Sequence, residues 1–134
     1  MTRSTTFAAI ARRLALVGAA VLAVSAFTAP TAFAGKSQAI RTDGGYVSFN
    51  HRGDLLYAND TRGEGWSVVA EIRLKHGAVP ISRITDGDGA NGNPNSQHVK
   101  LREGRDIQLR LCYEDWIGTG HVSRGCSGWQ NAEA

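Results

Sequence analysis

The chain has 134 residues, with 15 Lys and Arg against 12 Asp and Glu and a formal net charge of +3. Three of the arginines and none of the acids fall in residues 1–34, so the remainder carries 12 basic and 12 acidic side chains. A nucleic-acid binder needs a cationic excess to displace counterions from phosphates, so neutrality sets that class of partner aside except through a local patch.

Residues 1–34 read as a secretory leader. Arg3, Arg12 and Arg13 form a positive start, residues 14–27 an apolar run, and Ala32-Phe33-Ala34 a small-x-small cleavage site. The run is shorter than the roughly 20 apolar residues a membrane-spanning helix needs, and Ser25, Thr28 and Pro30 interrupt it. Cleavage before Gly35 would leave a single secreted domain, residues 35–134, with no membrane association. Residues 35–43 are expected to be a loose or edge segment.

From there the period is two, not 3.6. Residues 46–50, YVSFN, point Val47 and Phe49 to one side. His51 to Asp54 make a turn, and residues 55–58 a weaker strand. Residues 59–65 are Gly- and Asx-rich and read as a break, which includes the glycosylation-type triplet Asn59-Asp60-Thr61. In residues 66–75, WSVVAEIRLK, Val68, Ala70, Ile72 and Leu74 fall on one face and Val69, Glu71, Arg73 and Lys75 on the other. That alternation is what a half-buried strand shows. Trp66, which opens the run, is expected in the core. Residues 79–84 and 97–101 are weaker strands. Between them lies DGDGANGNPN, residues 86–95, a long polar loop.

Residues 106–114, DIQLRLCYE, repeat the alternation with Ile107, Leu109, Leu111 and Tyr113 inward. Residues 121–123 would pair back onto 110–114, and 127–134 would trail as a tail. The only two cysteines, Cys112 and Cys126, are expected to pair, because export puts them in an oxidising setting. About seven short strands with turn residues between them predict an all-β fold. It would be a small antiparallel sandwich, Ig-like or Greek-key, with one disulfide.

The chemical signals are weaker than the fold signals. A calcium loop of EF-hand type starting at Asp86 would need an oxygen ligand at position 5, Gly at 6 and Glu at 12. The chain has Ala90, Asn91 and Gln97 there. A looser site on Asp86, Asp88 and Asn91 stays open, but a plain connecting loop accounts for the residues better. Arg52-Gly53-Asp54 spells an adhesion triplet in a position that a hairpin turn explains. The four histidines, His51, His76, His98 and His121, fall at strand ends or turns, and adjacent Glu114 and Asp115 would point to opposite faces. No catalytic set, metal site or cofactor site is therefore assigned. A Glu/His/Arg set of the kind a small ribonuclease uses cannot be singled out.

The pattern GGYVSFNHRGDLLYANDTRGEGWSVVAEIRL, then DGDGANG, LREGRDIQLRLCYED and a final cysteine, resembles a group of small secreted actinobacterial β-sandwich-like proteins of unassigned function. The resemblance spans residues 44–126. It implies export and the sandwich, and it carries no site residues.

Two aromatic residues stand out. Trp116 lies with Ile117 inside the loop that the disulfide would close, and Trp129 follows the second cysteine. Tryptophans on a constrained loop suit a protein interface or stacking on a sugar ring, although both could also fold back as lids. The expected function is a non-catalytic binding module for an extracellular protein, with Trp116, Ile117 and Trp129 as contact residues. A carbohydrate- or cell-wall-binding module is the first alternative, and a small extracellular hydrolase the second.

Overall fold

Alternating apolar residues build the larger sheet, as the pattern predicts. The computed structural model describes residues 34–134, so the predicted leader lies outside the described residues. Strand β7, Asp106–Trp116, is the longest and sits at the centre. Strand β4, Ser67–Leu74, runs antiparallel along one side of it, with Val68 opposite Tyr113, Ala70 opposite Leu111 and Ile72 opposite Leu109. Strand β5, Ser82–Asp86, extends the sheet beyond β4. The other side of β7 is shared: β8, His121–Cys126, covers its C-terminal half and β9, Gln130–Glu133, its N-terminal half.

The second sheet has four strands. Strands β1, Gln38–Arg41, β2, Gly45–Asn50, β3, Leu55–Asp60, and β6, Asn95–His98, lie in the order β1-β2-β3-β6. All strand pairs are antiparallel, and among the described residues there is no helix. The core forms where the inner faces meet. Val47, Phe49, Leu56 and Ala58 from one sheet pack against Val68, Ala70, Ile72, Ile107, Leu109 and Leu111 from the other. Burying each large side chain stabilises the fold by roughly 1.5–3 kcal/mol. The sheets approach closely at Gly45, where an added Cβ would come within 2.5 Å of Val68 Cγ2.

Several expectations change. Nine strands form among the described residues, where about seven were predicted. The presumed tail, 127–134, supplies β9 and buries Ala132 and Ala134. Residues 35–43, expected as a loose or edge segment, do supply an edge strand, β1. Asn59 and Asp60 end β3 rather than a turn. The weaker strands shift in phase: β5 begins at Ser82 and β6 at Asn95. Trp66 is not a core residue. It is 41% exposed and meets the edge of Tyr113 at 5.9 Å between ring centroids.

The 51–54 turn is where it was expected, and the 86–95 loop is present but shorter, since Asp86 and Asn95 belong to the flanking strands. Residues 51–54 close the β2–β3 hairpin, with Gly53 and Asp54 at positive φ. Residues 87–94 cross from one sheet to the other, stabilised by an Asx turn in which Asn93 N donates to Asn91 Oδ1 at 2.7 Å. Among the described residues, no three His, Cys, Asp or Glu side chains converge as a metal site would require.

Candidate interaction surface on the five-stranded sheet

The outward phase of β4 and β7 does more than face water. Register places Glu71 opposite Arg110, Val69 opposite Cys112, Arg73 opposite Gln108 and Ser67 opposite Glu114. On β5, Arg83 stands opposite Glu71. Acid and guanidinium therefore alternate across three strands, an order that no single strand contains.

The two carboxylates at its centre are nearly covered; Glu71 and Glu114 are each 8% exposed. Such burial needs compensation by paired charge. Arg110 supplies it for Glu71, donating from both Nε and Nη2 to Oε2 at 2.7 Å. Arg83 bridges the two acids. Its Nε stands 3.9 Å from Glu71 Oε1, and its Nη2 pairs with Glu114. His121 Nδ1 comes within 3.7 Å of Glu114 Oε2, and the His121 ring lies 5.0 Å from that of Trp116. Asp115 turns the other way, to Arg124, as strand alternation predicts.

Trp129 closes the opposite end of this row. Its ring carries two guanidinium groups, Arg73 at 4.2 Å and Arg110 at 4.3 Å from the centroid. Each contact is attractive because the cation meets the negative face of the indole. Arg73 is held in turn: its Nε donates to Gln108 Oε1 at 2.9 Å, and Gln108 Nε2 donates to Asn131 Oδ1 on β9 at 3.0 Å.

The disulfide explains how Trp129 reaches that place. Cys112 and Cys126 are bonded and sit directly opposite each other on β7 and β8. Just beyond Cys126 the chain leaves β8, and Ser127 fastens it back to β7. Its N donates to Leu111 O at 2.8 Å, while its Oγ accepts from Leu111 N at 3.0 Å. Trp129 follows two residues later, before β9 begins.

Two of the predicted contact residues, Trp116 and Trp129, thus share one surface. Trp116 is 60% exposed at the end of β7, and Ile117 is 55% exposed in the β7–β8 turn. Trp129 is half-buried among the arginines. Arg110, which underlies Trp129, and Trp116 stand six residue steps apart on β7, about 20 Å at strand rise. Sequence reasoning missed Glu71, Arg73, Arg83, Arg110, Glu114 and His121 as a group. The signal available was their common outward phase; cross-strand register joins them.

Glu114, His121 and Arg83 bring an acid, an imidazole and a cation together, which acid–base chemistry also uses. Here the carboxylate is committed to a guanidinium. A cavity of about 600 Å³ opens instead on the outer face of the four-stranded sheet, and none of the row lines it. The chain matches no family model, and comparison with curated proteins and with solved structures finds no match either.

Proposed function

We propose that the chain is a secreted binding module that grips a protein partner with the outer face of its five-stranded sheet. The observation that carries this reading is the placement of Trp116 and Trp129 at the two ends of one ordered row of arginines and carboxylates. Trp and Arg are the residues in which interface energy concentrates. The row is already ordered by ion pairs and ring contacts, so docking would freeze few side chains and lose little entropy. A disulfide suits an oxidising setting outside the cell, and the apolar leader expected in residues 1–34 fits the same destination.

The test is affinity capture from culture medium on immobilised protein, comparing wild type with Trp116→Ala and Trp129→Ala. A hot-spot tryptophan is worth about 2 kcal/mol or more, so either substitution should weaken retention of the partner at least about thirtyfold. Equal recovery of every retained protein by all three baits ends the idea.

A further inference from the structure

The opposite side of the sandwich carries a second, chemically different surface. Strands β1, β2 and β3 form the floor of the open trough of about 600 Å³. Ligand sites commonly enclose roughly 300–1,000 Å³. Ten residues line it and none carries a charge. They include the rings of Tyr46 and Tyr57 and the amides of Asn50 and Asn59.

Register fixes the spacing of these groups. Tyr46 faces Asn59 and Tyr57 faces Ser48 across the β2–β3 pair. The two tyrosines are therefore diagonal neighbours, about 7–8 Å apart. Asn59 lies two residues beyond Tyr57 on the same face, about 7 Å along the strand. Arg41 sits 4.5 Å over the Tyr46 ring and covers one of its faces. One polar atom remains unspent. Asn59 Oδ1 is shielded from solvent and accepts no hydrogen bond from any described residue, a state that native structures rarely leave uncompensated.

We infer that this trough is a binding site for a neutral saccharide chain. Aromatic rings present a negative face to the polarised C–H groups of a sugar ring. Amides and hydroxyls match sugar hydroxyls as both donors and acceptors. The Asn59 amide lines the trough and gives a sugar hydroxyl a hydrogen-bond partner. The ten lining residues are uncharged and Arg41, the cation at the rim, is engaged on the Tyr46 ring, so the trough favours an unmodified glycan over an acidic one. The site is separate from the tryptophan row, and the protein would hold a glycan on one sheet and a protein on the other.

Calorimetric titration of the whole protein tests this, using short cello-, xylo-, malto- and chito-oligosaccharides, with polygalacturonate and a proline-rich peptide as competitors of other chemistry. Saturable binding to at least one neutral series is expected. Tyr57→Ala should weaken it roughly tenfold, as loss of one stacking contact would. Asn59→Ala should weaken it several-fold without removing a packed ring, and so guards against a folding defect in the tyrosine variant. Trp116→Ala should leave it unchanged, which separates this site from the protein-binding face. The inference is overturned by silence with every neutral series at millimolar concentration. Binding that survives both trough substitutions, binding lost only with Trp116, or preference for the acidic polymer or the peptide would overturn it equally.

Discussion

Asp86 shows how one buried carboxyl can tie stability to pH. It ends β5 with no exposed surface, its Oδ2 accepting from Asp60 N at 2.7 Å and its Oδ1 meeting no donor among the described residues. Burial raises its pKa above the usual aspartate value, and neighbouring Asp88 adds to the rise, partly offset by the Asp60 N–H. The folded protein therefore holds this proton more tightly than the unfolded chain does. By linkage, the associated stability is complete below the unfolded aspartate pKa, about 3.9, and is lost as pH rises through the folded value. Asp86→Asn should remove that dependence. Its amide can still accept from Asp60 N, and it never ionises. The variant should melt at a higher temperature than wild type at pH 7, and the two should converge near pH 3.5. Thermal scans across that range check this, and a variant that melts lower at pH 7 contradicts it.

At the level of elements, β7 organises the larger sheet. It pairs with β4 along one edge and with β8 and β9 in succession along the other. The Cys112–Cys126 bond sits where that second edge changes hands. Closing 15 residues stabilises by about 3 kcal/mol in the chain-entropy view. Replacing both cysteines with serine should lower the urea midpoint accordingly while leaving strand content intact by circular dichroism. It should also free Trp129 from its two arginines, seen as a changed tryptophan near-ultraviolet signal. An unchanged midpoint would mean that Ser127 and β9 hold the junction alone. How far these elements could be read from sequence follows from their composition. Strands β4 and β7 were legible because apolar residues alternate along them. Strand β6, NSQH, is exposed throughout and has no apolar phase. Strands β1 and β9 each bury a single hydrophobic side chain, Ile40 and Ala132. Strands β6 and β9 are ordered by backbone hydrogen bonds to β3 and β7, which are remote in the chain, and β1 by a hairpin onto β2; composition does not record such partners. The site was legible to the same degree. Trp116, Ile117 and Trp129 stood out by type, whereas the Glu–Arg row needed the β5-β4-β7 register.

Taken as a whole molecule, the sandwich has one core and two outer faces, and the faces share no contacts named above. Stacked sheets lie about 10 Å apart, and each outer face adds its own side-chain layer. Substitutions at well-separated sites without common partners add to within about 0.5 kcal/mol, whereas residues in contact do not. Tyr57 lies in the trough and Trp129 on the far sheet, so the denaturation free energies lost by Tyr57→Ala and Trp129→Ala should sum to that of the double variant. Trp129 and Arg110 touch through a ring and a guanidinium 4.3 Å apart. Trp129→Ala with Arg110→Ala should therefore depart from additivity by about 0.5–1 kcal/mol, the worth of a cation–π contact near the surface. Urea titration of the five variants against wild type measures both terms. If the distant pair couples as strongly as the touching pair, the core transmits between the faces, and glycan and protein binding would be linked rather than independent.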